Sequence, residues 1–219
     1  MRTRHTFYLL PLLLTGLFAC QQQEAEIPLC CTKPAATASA AVIPMASHAG
    51  ALSDLSLYNL SSEWTDQEGR QLKLEELQGK PQVVAMVYTS CAYACPRLTA
   101  DLQDIEAKLP EDKRQAIGFV LVTMDPDRDT PEKLKAFAVA HHLDTRRWTL
   151  LTSQPDDIRE LAALLNVQYA KDLNGNFSHS NLITVLNAEG EIIHQQEGLG
   201  TNPAETLQAL KNLPATLLE

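Results

Sequence analysis

The chain has 219 residues, enough for one sizeable domain with its own core and some additional segments. Its formal charge of −9 argues against a nucleic-acid partner, which would require a basic face. Five cysteines are an odd number, so at least one has a fate other than an intramolecular disulfide.

The N-terminus reads as a targeting segment. Arg2 and Arg4 form a short basic region, and residues 7–19 are an apolar run too short to span a bilayer as a helix. Leu17-Phe18-Ala19 leads directly into Cys20. This arrangement resembles a bacterial lipoprotein signal, which implies loss of residues 1–19 and lipid on Cys20. An ordinary signal peptide, with Cys20 incidental, is the alternative. Either reading places the mature protein outside the cytoplasm, on the periplasmic side. No later apolar run approaches the length of a membrane span, so a multiply acylated Cys20 is the expected membrane anchor. Residues 20–51 are rich in Gln, Ala, Ser, Thr and Pro, lack an apolar period, and read as a disordered, flexible tether. Such a segment has a typical end-to-end distance of about 30 Å. Cys30, Cys31, Met45 and His48 lie within it, either as unselected residues or as a second, loose site for a thiophilic metal.

The folded domain is expected over residues 52–219. Short alternating patterns run through residues 55–60 and Trp64, with a turn at residues 66–69. Residues 73–77 read as a helical turn, and Gly79-Lys80-Pro81 breaks before the apolar run of residues 83–88, a buried strand. Leu98, Leu102, Ile105 and Leu109 then share one face of a helix that Pro96 helps to start and Pro110 stops. Residues 117–124 are a second buried strand. Thr130, Pro131 and Glu132 are suited to the N-cap and first turn of the next helix, which ends near His142. A strand at residues 147–152 and a helix at residues 155–165 follow, then a loop around Asn174-Gly175. Residues 181–186 and 191–195 form a hairpin, and Asn202-Pro203-Ala204-Glu205 caps a last helix ending near Leu213. This order predicts an α/β fold with a central mixed sheet, parallel in its first half and flanked by helices.

Cys91 and Cys95 sit where the first central strand hands over to a helix. Open α/β sheets place their sites there, and cysteines at that point indicate a thioredoxin-like sheet. A thiol at a helix start faces free N–H groups and the positive end of the dipole, both of which favour thiolate. The pair can hold a soft metal ion, exchange disulfides, or form a structural disulfide. His179, just before the strand of residues 181–186, can reach the cysteine loop in such a sheet; a plain surface histidine is the alternative. His141 and His142 sit at a helix end, where the dipole favours a cation. His194 reads as a solvent-facing strand residue, and His5 leaves with the signal segment. Two thiolates and one imidazole suit copper, Cu(I) above all, better than magnesium, calcium or manganese. Asp125, leaving its strand beside the cysteine loop, is expected to order that loop or bias its thiols without binding the metal.

Three motifs together carry a family resemblance: Cys91-Ala92-Tyr93-Ala94-Cys95-Pro96, Asp125-Pro126-Asp127-Arg128-Asp129-Thr130-Pro131, and His179-Ser180 ahead of an aliphatic strand and hairpin. They resemble the CxxxCP, DPxRDTP and copper-histidine segments of the Sco/SenC copper-chaperone family. The likeness spans about residues 52–213. It implies a thioredoxin-like fold, membrane tethering, and copper, as Cu(I) or Cu(II), held by Cys91, Cys95 and His179. It also implies delivery of copper to the copper-centre subunit of cytochrome c oxidase, or to another copper protein, or maintenance of that centre's cysteines. A thiol–disulfide oxidoreductase, with Cys91 and Cys95 as its redox pair, is the alternative from another class. Where the family often carries an acidic or Pro residue between its cysteines, Ala-Tyr-Ala here is neutral.

Overall fold

The computed structural model describes residues 52–214. The expected signal segment and Cys20, Cys30, Cys31, Met45 and His48 lie outside the described residues.

The described chain opens with a 3₁₀ turn at Leu57–Asn59, where the alternation of residues 55–60 predicts extended chain. Ser56 holds this turn with its hydroxyl, which accepts the Tyr58 N–H at 3.1 Å. The Tyr58 ring presses on Gly190, where an added Cβ would come within 2.6 Å of it and where φ is +84°. Only glycine meets both conditions.

A hairpin follows, β1 (Glu63–Asp66) and β2 (Gln71–Lys73), closed by the expected turn. A 3₁₀ turn at Leu74–Leu77 leads to β3 (Gln82–Val87). Next come α1 (Ala94–Lys108) and a short helix α2 (Glu111–Ala116). Helix α2 buries none of its side chains, so no apolar period announces it in the sequence. The chain continues through β4 (Gly118–Thr123), α3 (Pro131–Ala140), β5 (Trp148–Thr152) and α4 (Pro155–Leu164). The expected loop around Asn174 is instead a small hairpin, β6 (Tyr169–Lys171) and β7 (Phe177–His179). Last are β8 (Leu182–Leu186), β9 (Ile192–Glu197) and α5 (Ala204–Asn212). Pro131 does occupy the first turn of α3, but the Thr130 side chain does not cap it. That hydroxyl bonds the Glu132 carboxyl instead and, with the backbone N–H, holds it below the usual carboxylate range.

The described strands form a seven-stranded mixed sheet in the order β2-β1-β5-β4-β3-β8-β9, with β6 and β7 as a separate two-stranded sheet. β3, β4 and β5 run parallel, while β8 runs antiparallel to β3. β3 and β4 are buried at every position, which explains their unbroken apolar runs. Helices α1 and α5 pack together beside β3, β8 and β9, and α3 packs on β5 and β1. Trp64, Phe119 and Trp148 are fully buried in the core. Phe119 stacks on Trp148 at 4.7 Å, and the Trp148 indole N–H donates to Glu106 at 2.9 Å. Among the described residues no helix is long and apolar enough to cross a membrane.

The register sets up the site. Val87 at the end of β3 pairs with Thr123 at the end of β4, so the loops that follow these strands lie side by side. β8 starts at the same end of the sheet, because it runs antiparallel to β3. Residues just before β8 therefore meet the loop just after β3.

Candidate metal centre

At the end of β3 the chain turns through Tyr88, whose carbonyl accepts the Cys91 N–H at 3.2 Å. Helix α1 then begins at Ala94 with no side-chain cap from Tyr93. The sulfur of Cys91 takes that place by accepting the Cys95 N–H at 3.3 Å. Cys91 thus lies ahead of the helix, half-buried, while Cys95 lies in its first turn, fully buried. The Cys95 sulfur accepts the Tyr88 N–H at 3.4 Å. Both thiols are free.

Their environments pull them apart. Burial opposes ionisation of Cys91, yet the N–H groups of Cys95 and Tyr93 and the side chains of Cys95 and Tyr88 together hold its thiol below the ordinary value. Burial pushes the Cys95 thiol up, as do its neighbours Cys91 and Asp129, against the Tyr88 N–H. The helix-start argument therefore holds for Cys91 and is overridden by burial for Cys95.

His179 ends β7, and its Nε2 lies 3.9 Å from the Cys95 sulfur. Its Nδ1 is 3.0 Å from the Ser180 carbonyl oxygen. A carbonyl can only accept, so Nδ1 carries a proton, and in the neutral imidazole Nε2 then turns its lone pair toward the sulfur. Tyr88 meets the imidazole edge-on at 6.1 Å and the Phe177 ring at 5.1 Å. The three side chains form a continuous chain of contact, from Cys91 to Cys95 to His179. They do not yet surround one point: among the described residues no group of three His, Cys, Asp or Glu is disposed to hold a metal ion. The Cys95–His179 separation of 3.9 Å nevertheless suits a shared ion, since zinc bonds sulfur at about 2.3 Å and imidazole at about 2.0 Å.

The carboxylate that orders the cysteine loop is Asp129, not Asp125. Asp129 is fully buried and accepts from the Thr89 N–H at 2.9 Å and from the hydroxyls of Thr89 and Thr123, both at 2.5 Å. Asp125 is also buried but turns the other way. It pairs with Arg128 and, at 3.2 Å, with Lys171 on β6. Strand order alone places the β4–α3 loop beside the cysteines. Which of its three aspartates reaches them depends on the turn Asp125–Asp129, closed by the Asp129 N–H to the Asp125 carbonyl at 2.9 Å. Tyr88, Phe177 and Lys171 also frame the site and carried no motif.

The remaining histidines lie elsewhere. His141 packs on Phe137 at 4.2 Å, and burial and then His142 lower its pKa, against the pull of the helix end. His194 is half-buried on β9, with Nε2 2.9 Å from the Thr206 hydroxyl, and not free in solvent.

Comparison with known proteins agrees with this architecture. The SCO1/SenC family model matches residues 56–215. The chain is 25% identical over 145 residues to the SCO1 protein homolog of Bacillus subtilis, covering 65% of this chain and 75% of that protein. A solved SCO1/SenC family lipoprotein from Bacillus anthracis is 27% identical, with a TM-score of 0.65 over 74% of this chain and 99% of its own. ScoI of Bradyrhizobium japonicum, solved with copper bound, shares the fold at 23% identity, with a TM-score of 0.58 over 70% of this chain and 97% of its own. With a thioredoxin-like sheet, a cysteine loop at the end of its central strand, and a family match over most of its length, the chain belongs to the SCO1/SenC family.

Proposed function

We propose that this chain binds copper through Cys91, Cys95 and His179 and delivers it, outside the cytoplasm, to the copper-centre subunit of cytochrome c oxidase. One observation carries the reading: the Nε2 of His179 faces the Cys95 sulfur at 3.9 Å, with Cys91 bonded to the same helix turn. Two thiolates and an imidazole are a soft donor set that fits Cu(I). The half-exposed Cys91 gives an incoming partner access to the site, and small side-chain movements bring the third ligand onto the ion. Copper here is cargo, so a site that is nearly but not fully assembled without it is suited to both loading and release.

A second reading rests on a different observation, the asymmetry of the two thiols. Cys91 is accessible and the more acidic, while Cys95 is buried behind it and the less acidic. That is the arrangement of an attacking and a resolving thiol in disulfide exchange. In this role the chain keeps the partner's cysteines reduced so that they can accept copper.

The reading places every ligand beyond residue 51. A chain beginning at Leu52 is expected to bind one copper ion as tightly as the full chain, measured by competition with a chromophoric Cu(I) chelator. Loss of tight binding on truncation would move the primary ligands to Cys30, Cys31, Met45 or His48. The same reading uses Cys20 as the anchor. Cys20→Ser is expected to shift the protein from membranes to the soluble fraction and to remove a lipid mass present in the wild type. A wild type without that mass, partitioning as the variant does, would rule the anchor out.

A further inference from the structure

We infer that Lys171 is a positioning residue for His179, latching the β6–β7 hairpin to the β4–α3 loop so that the imidazole stays against Cys95. The inference rests on the copper site proposed above. The hairpin has only three residues in each strand and forms no ladder with the main sheet. A two-stranded hairpin of that size is marginal alone, so other contacts must hold it. On one side it is held by apolar contact, with Phe177 between Tyr88 at 5.1 Å and Tyr169 at 5.9 Å. On the other it is held by charge. The Lys171 ammonium lies 3.2 Å from both Asp125 and Asp127, and 5.4 Å above the Phe177 ring. Arg128 pairs with Asp125 and donates to the Gly175 carbonyl at the hairpin tip.

The geometry connects this latch directly to the imidazole. Lys171 stands opposite Phe177 in the hairpin register, and Tyr169 stands opposite His179. A hairpin that tilts away from Asp125 therefore carries His179 away from Cys95. The Asp125 side chain has no exposure, so its position is fixed, whereas that of Lys171 is 40% exposed. An ion pair with one partner in solvent is weak enough to open. Such a latch lets the ligand arm hold the ion and still let it go. Losing Lys171 would not strand a buried charge, because Arg128 still pairs with Asp125. The effect is therefore confined to the hairpin.

The test is a double-mutant cycle on the full chain, with Cu(I) affinity read by chelator competition. Lys171→Met keeps the stem over Phe177 and removes the charge. It is expected to weaken Cu(I) binding about 10-fold, the scale of losing a partner that orients a ligand. Lys171→Arg is expected to retain wild-type affinity. In a His179→Ala background, Lys171→Met is expected to cost nothing more, since it acts only through that ligand. Wild-type affinity in Lys171→Met would overturn the latch, as would an equal loss with and without His179. If His179→Ala itself bound Cu(I) like the wild type, the ligand set would be wrong, and the latch with it.

Discussion

Replacing either cysteine is expected to abolish copper retention, but the two variants are expected to fail differently in disulfide exchange. Cys91 is half-exposed, and the backbone N–H groups of Cys95 and Tyr93 hold its thiol low against the cost of burial. In the proposed disulfide exchange it is the thiolate that attacks. Its sulfur bonds to one sulfur of a partner disulfide, and the partner's other sulfur leaves as a thiolate. Cys95 then attacks the Cys91 sulfur, closing Cys91–Cys95 and releasing the partner fully reduced. In that proposed exchange two electrons would pass from this chain to the partner. Cys91→Ser is therefore expected to give no mixed disulfide at all, whereas Cys95→Ser stalls with the partner captured on Cys91. Copper affinity is expected to fall in both by more than the roughly 10–100-fold typical of losing an outer partner. Thiol-specific mass labelling and chelator competition check the two halves. A mixed disulfide trapped on Cys95 in the Cys91→Ser variant would contradict the assigned roles.

His179→Ala is expected to separate the two activities. Disulfide exchange needs only the sulfurs, and His179 faces the resolving Cys95, not the attacking Cys91. The proposed copper site needs the imidazole, because two thiolates alone would leave the ion less well held and more open to solvent. The variant is expected to lose copper affinity by more than roughly 100-fold while still forming the Cys91–Cys95 disulfide. Oxidase assembly in cells carrying the variant then decides which activity is physiological. Failed assembly is expected for a copper donor. Full assembly by a chain that cannot hold copper would make thiol maintenance its function.

Most of the central layer was legible because β3, β4 and β8 are buried at every position and so appear as apolar runs between turn signals. The two cysteines were legible for the same reason, since they end one of those runs. What escaped were elements without an apolar period. Helix α2 has no buried side chain. The β6–β7 strands are three residues each and bury none of those residues, so no apolar period marks them. The hairpin is nevertheless what delivers His179, so its path was the hidden part of the site. The choice between Asp125 and Asp129 was hidden too. Both leave the same strand, and only the turn between them sends one to Thr89 and the other to Lys171. Burial also reversed two inferences from helix ends. Cys95 and His141 both sit where a dipole favours their charged form, and desolvation disfavours it in each.

The most direct measurement is X-ray absorption at the copper edge, made side by side on the reduced wild type and His179→Ala loaded with Cu(I). In the wild type one copper ion is expected per chain, with two sulfur neighbours and one imidazole nitrogen. In the variant the imidazole signal is expected to vanish while any residual copper keeps its sulfur neighbours. Identical spectra from the two proteins, or a wild-type ion with sulfur neighbours alone, would contradict the site built here from Cys91, Cys95 and His179.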